Sequence, residues 1–105
     1  NSSRIIVLVS MSGKRSKGGL ASYSMSKFAL MSLCQTMRNE GWNQGIRVTA
    51  ICPGWINTEM AKGINHFPKE DMTQSNDIAS ICSNLLELPN SSVPFEIAIN
   101  CQLEK

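Results

Sequence analysis

Short apolar runs alternate along this chain with polar, glycine-bearing breaks, and the periods of the apolar positions define its elements. Ile5-Ile6-Val7-Leu8-Val9 is a continuous, β-branched-rich run, the pattern of a strand covered on both faces in a parallel sheet. A helix is predicted from about residue 22 to about residue 39, carrying Met25, Phe28, Ala29, Leu30, Met31, Leu33, Cys34 and Met37, with Gly41 as its stop signal. That apolar arc is wider than the stripe needed to cover one face of a sheet. Its outer side is therefore expected either to be buried within the subunit or to meet another one. Gly45 precedes Ile46-Arg47-Val48-Thr49-Ala50-Ile51-Cys52, a second strand. Strand, helix and strand joined by short links make a right-handed parallel crossover. The stretch from about 55 to 74 is weakly patterned, with a short helical turn at Thr58-Glu59-Met60-Ala61, and reads as a mobile flap. Ser75-Asn76-Asp77 offers an N-cap and a first-turn acid for a helix through Glu87. Its apolar stripe is Ile78, Ile81, Cys82, Leu85 and Leu86. After a turn at Pro89-Asn90-Ser91-Ser92, the run Phe95-Glu96-Ile97-Ala98-Ile99 gives a last strand.

This order is that of an α/β protein with a parallel sheet. The first strand reads as a central one, which needs neighbours on both edges, so the chain is expected to be part of a larger fold. In open α/β sheets ligands gather at the carboxyl ends of the strands. Ser10 ends the first strand there. Pro53-Gly54 ends the second, where proline withholds a ladder donor and glycine lets a ligand approach the backbone. Tyr23 begins the intervening helix, and Lys27 follows four residues later on the same helix face. A cation beside a phenol favours phenolate, and so turns a group that ordinarily titrates near about 10 into a proton donor and acceptor useful at neutral pH.

Composition narrows the function classes. A chain of 105 residues has room for one small domain. Its net charge of +2 gives no electrostatic case for nucleic acid or an anionic membrane. The longest unbroken apolar run, Ile5 to Val9, is far too short to span a bilayer, and no secretion signal is read at the N-terminus. Cys34, Cys52, Cys82 and Cys101 lack paired metal or redox spacing. They read as reduced core thiols of a cytoplasmic protein, and the Asn-x-Ser sequons at Asn1 and Asn90 as accidental. His66 is the only histidine, and no metal site is expected. The cationic, glycine-bearing stretch with Lys14, Arg15 and Lys17 reads as a solvated loop, as do the charges Glu59, Glu70 and Asp71.

The set Ile5 to Ser10, Tyr23-Ser24-Met25-Ser26-Lys27, Gly45-Ile46-Arg47-Val48 and Ile51-Cys52-Pro53-Gly54-Trp55-Ile56-Asn57-Thr58-Glu59-Met60 resembles the short-chain dehydrogenase/reductase family, from its fifth strand to its last. Asn76-Asp77-Ile78-Ala79 and the strand near Phe95 resemble its tail. Ser10 lies thirteen residues before Tyr23, and Pro53 twenty-six after Lys27, both as in that family. The resemblance implies a partial Rossmann-like, doubly wound parallel sheet, the C-terminal half of a three-layer α/β/α sandwich. Residues 1–105 would be the catalytic half, with the dinucleotide-binding half lying before Asn1. It implies interconversion of a small-molecule carbonyl and alcohol by hydride transfer with NAD or NADP. Tyr23 would be the general acid/base. Lys27 would lower the pKa of Tyr23 and hold the nicotinamide ribose, and Ser10 would orient the substrate oxygen. Ile56 would offer backbone groups to the carboxamide, and Thr58 would add its hydroxyl near the carboxamide or pyrophosphate. Pro53 and Gly54 would shape the nicotinamide pocket, with Trp55 and the flap lining the substrate side. A homodimer or homotetramer is expected, without nucleic acid or membrane partners. The family's Asp-Gly-Gly after the last strand is missing; Phe95-Glu96-Ile97-Ala98-Ile99-Asn100 resembles the shorter tails of some members.

Two readings of other classes compete. One is a non-catalytic relative that keeps the fold as a binding or scaffold protein, against which stands the intact set of Ser10, Tyr23 and Lys27. The other is a free-standing module binding a polyanion through the loop at residues 14–17, which would need a stable monomer despite the unpaired first strand.

Overall fold

The computed structural model describes residues 2–9, 19–54 and 69–101 of the chain. Within them the order is β1 (Ser3–Leu8), α1 (Gly19–Gly41), β2 (Ile46–Pro53), α2 (Ser75–Glu87) and β3 (Glu96–Ile99), with short 3-10 turns at Trp42–Gln44 and Lys69–Asp71. The strands form one sheet in the order β1-β2-β3, and both pairings are parallel. This is the α/β arrangement with a parallel sheet that the apolar runs imply, and it agrees with the Rossmann-like sheet that the resemblance implies. Among these residues no helix is long and apolar enough to cross a membrane.

β2 is the centre. Its register runs Ser3 opposite Ile46 to Leu8 opposite Ile51 on one side, and Ala50 opposite Glu96 to Pro53 opposite Ile99 on the other. Successive strand residues point to opposite faces, yet residues 48–53 are all buried. Val48, Ala50 and Cys52 pack in one cluster with Val9 and Cys34, and Leu30, Met31 and Met37 of α1 lean on it. That is the face α1 covers. Thr49 and Ile51 point the other way and are 2% and 0% exposed, so the second face is covered as well.

Two arginines serve that second face. Arg4 and Arg47 lie opposite one another in the ladder, a pairing of like charges that is unfavourable on its own. Backbone carbonyls of the turn after α2 offset it. One Arg4 nitrogen donates to the carbonyls of Leu88, Pro89 and Ser92 at 3.3, 2.8 and 2.6 Å, and Arg47 Nε donates to that of Asn90 at 3.1 Å. The Thr49 hydroxyl donates to the Pro94 carbonyl at 2.5 Å. The connection from α2 to β3 thus crosses the face opposite α1, and the sheet is wound on both sides.

Several boundaries differ from expectation. β1 starts at Ser3 and is the sheet's edge among the described residues, with Ile5 and Leu8 37% and 53% exposed rather than covered. α1 begins at Gly19 rather than near residue 22, because Leu20 and Ala21 are good helix formers. It ends at Gly41, as expected. The chain continues through the 3-10 turn to Gly45, whose φ of 79° is left-handed and whose N–H caps the Trp42 carbonyl at 3.1 Å. The N-cap of α2 is Gln74 rather than a residue of 75–77, while Asp77 is the first-turn acid as expected, its carboxylate accepting the Gln74 N–H at 3.2 Å. In its stripe Ile78 and Leu85 are buried, whereas Leu86 is exposed. Of the expected flap, residues 69–74 are described, and there Met72 and Thr73 are buried, so that end is anchored.

Gly41 has a second task, close approach. A Cβ added there would stand 2.8 Å from the Ile46 Cβ, where β2 begins. Gly41→Ala should destabilise the protein by about 1–3 kcal/mol through overpacking, although alanine is the better helix former by roughly 1 kcal/mol. Urea unfolding of the variant checks this; a stabilised variant would mean that the contact yields easily.

Candidate active site

α1 meets the start of β2 at its C-terminal end, through Gly41 and Ile46. It runs antiparallel to the strands, so its N-terminal turns lie toward their carboxyl ends. Tyr23 and Lys27 both fall within α1, and four residues at about 1.5 Å each separate them by one turn along the axis. Tyr23 is in the second turn of the helix rather than its first residue.

Cys52 lies on the sheet face that α1 covers. It is the penultimate residue of β2 and 7% exposed, and it faces α1 in the cluster with Cys34. Burial, which penalises thiolate, pushes its thiol above the ordinary range. The half-buried Lys27 ammonium pulls the opposite way, while the Glu96 carboxylate and Cys34 push further up. Lys27 is therefore within electrostatic reach of the carboxyl end of β2. The Cys52 sulfur lies 3.9 Å from Glu96 Oε1, the reach of a weak S–H donor. Cys34, 0% exposed, is likewise raised by burial. Cys34, Cys52 and Cys82 carry free thiols, and the first two are packed as small apolar groups.

The β2 terminus is shaped as its sequence suggests. Pro53 is the last ladder residue, and Gly54 is buried and donates its N–H to the Ile99 carbonyl at 2.7 Å. Val9 makes the matching bond to Ile51 at 2.8 Å, so β1 ends beside β2. Lys27, Pro53 and Gly54 thus belong to one rim. Ser10, Ile56 and Thr58 lie outside the described residues, as do Trp55, Glu59, His66 and the cationic stretch at residues 14–17. Among the described residues no group of three or more His, Cys, Asp and Glu side chains could hold a metal ion. Glu96 is exposed, and its register opposite Ala50 sets it beside Cys52, a neighbour that the run Phe95 to Ile99 does not foretell.

The short chain dehydrogenase family matches residues 1–69. The chain belongs to that family. Agropine synthesis reductase of Rhizobium rhizogenes is 36% identical over 103 residues, covering 98% of this chain and 24% of that protein. Among solved structures, a betaketoacyl-ACP reductase from Bacteroides thetaiotaomicron superposes with a TM-score of 0.75 at 30% identity, covering 95% of this chain and 40% of that one. A 4-hydroxyisoleucine dehydrogenase complexed with NADH gives 0.70 at 28% identity, covering 99% and 48%. The chain therefore spans about a quarter to a half of the length of these family members.

Proposed function

We propose that this chain is the carboxyl-terminal, catalytic half of an NAD- or NADP-dependent short-chain dehydrogenase/reductase that interconverts a small-molecule carbonyl and alcohol. The observation that carries the reading is the course of α1, whose C-terminal end packs on Ile46 at the start of β2. Its N-terminal turns, which hold Tyr23 and Lys27, therefore run toward the carboxyl ends of the strands, where parallel α/β sheets bind ligands. The residues there fit a nicotinamide ribose: a half-buried ammonium that can donate to hydroxyls, next to a Pro-Gly strand end with little side-chain bulk. When bound, the dinucleotide supplies the hydride donor or acceptor.

The chain's own residues handle the proton and the charge. As a carbonyl is reduced, negative charge grows on its oxygen. Tyr23 donates its phenolic proton there, and Ser10 donates a hydrogen bond to the same atom. In alcohol oxidation the Tyr23 phenolate takes the proton back. Lys27 favours the phenolate by its charge and holds the ribose hydroxyls. Ile56 offers backbone groups and Thr58 its hydroxyl to the carboxamide side, with Thr58 also near the pyrophosphate. Pro53 and Gly54 shape the ring pocket, and Trp55 and the following stretch line the substrate side. The exposed edge of β1, with Ile5 and Leu8 open, is where the dinucleotide-binding half would continue the sheet. Buried free thiols at Cys34 and Cys52 suit a reducing cytoplasm.

The outer side of α1 also calls for a partner. Met25, Phe28 and Leu33 are 73%, 79% and 53% exposed, an apolar face that an oligomer would cover. We assign it to a contact between copies of this chain in a homodimer or homotetramer.

Two results are expected. At native length, Tyr23→Phe should lower turnover of a carbonyl substrate with NADH or NADPH by about 10²–10⁴-fold while leaving the thermal midpoint in place; near wild-type turnover would turn the reading toward a scaffold. Phe28→Glu should shift the sedimentation coefficient to that of a smaller assembly, and an unaltered coefficient removes α1 from the subunit contact.

A further inference from the structure

A groove of about 290 Å³ opens at the amino end of the sheet, between α1 and the edge of β1. Ile5, Ile46, Met37 and Gly41 line it with apolar surface, and the exposed Glu40 and Gln44 stand beside them. Ile5 pairs with Val48 and so shares the face that α1 covers, yet it is 37% exposed. The groove is the part of that face that α1 leaves open. Glu40 lies in the last turn of α1, where the helix dipole disfavours an acid. Among the described residues it makes no ion pair.

We propose that this groove seats a helix from the half of the protein that leads into β1, and that the last turn of that helix brings a lysine or arginine onto Glu40. This rests on the reading above, in which another half continues the sheet at the β1 edge. Crossovers between parallel strands are almost always right-handed. A strand stepping into β1 in the direction in which β1 steps into β2 therefore puts its crossover helix on the α1 face. Such a helix runs antiparallel to the strands and ends at their amino end, just ahead of Ser3, where the groove lies. It is parallel to α1, so two helix ends of like polarity stand side by side. A cation in the last turn of the incoming helix is favoured by that helix's own dipole, and it meets the Glu40 carboxylate. The charge that is misplaced in α1 alone suits the pair. Met25 and Phe28, assigned above to a contact between copies, stand about 120° and 180° around α1 from Met37. The groove is thus separate from that face.

The test uses the native-length protein with Gln44 replaced by the photo-crosslinker p-benzoylphenylalanine. Illuminating a mixture of isotopically heavy and light protein should give crosslinks within one chain. Mass spectrometry should map them to roughly the 15 residues ahead of Ser3, the span of one ordinary helix. Crosslinks joining heavy to light chains put a second copy in the groove, and a lack of crosslinks leaves it open. Either result overturns the proposal, as does a within-chain link to any other segment. Thermal midpoints of Glu40→Gln and Glu40→Lys test the charge. With a cation opposite, both fall, the Lys variant by about 2–4 °C more, and the difference shrinks in high salt. With nothing opposite, lysine suits the last turn of α1, so an unchanged or raised midpoint in Glu40→Lys removes the cation. Tyr23→Phe turnover, read alongside, keeps the two levels apart. An inactive Tyr23→Phe with an unlinked groove removes only the helix seat, whereas an active one removes the function even if the groove is filled.

Discussion

The double-sided burial of β2 is the constraint on which the rest depends. A strand bonded along both edges and covered on both faces can shift neither its register nor its neighbours, since a slip of one residue would turn every side chain to the wrong face. With Val48, Ala50 and Cys52 committed to one face, α1 must lie along that face, and Gly41 lets its end come down onto Ile46. The direction of α1 follows, and so does the arrival of its N-terminal turns at the carboxyl rim. The Tyr23–Lys27 turn is thus aimed by packing many residues away from the rim.

The two ends of the sheet are built from different chemistry. At the amino end guanidinium groups and aromatic rings lock the connections. Arg47 lies 3.8 Å and Arg38 4.6 Å from the Trp42 ring centroid, and Arg38 also faces Phe95 at 5.5 Å. The Arg38 Nε is buried without a hydrogen-bond acceptor, and these ring faces supply compensation of the cation–π kind. At the carboxyl end the described groups are Lys27, Cys52, Glu96 and the Pro53-Gly54 terminus.

Much of this was legible in the residues. The apolar run at β1, the alternation between helical and strand periods, and Pro53-Gly54 gave the order of elements, because each signal is local. The Tyr23–Lys27 pair could be read for the same reason, as two residues on one helical turn. What could not be read was non-local. Nothing near Gly41, where α1 ends as expected, says that Ile46 needs its missing side chain, or that the left-handed turn falls at Gly45. Nothing near Arg4 shows that the carbonyls of residues 88–92 await it. The width of the α1 apolar arc was visible and did correspond to exposed Met25, Phe28 and Leu33. Family membership came from the order of motifs along the chain rather than from any one of them.

The central claim is that Lys27 makes Tyr23 a proton donor and acceptor for the neutral range. Tyr23 is the chain's single tyrosine, and its ionisation can be followed directly as phenolate absorbance, read at native length as the difference between wild type and Tyr23→Phe. The account predicts a midpoint well below the ordinary tyrosine value of about 10, returning toward it when Lys27 is replaced by Met. A midpoint near the ordinary value, indifferent to Lys27, would contradict it.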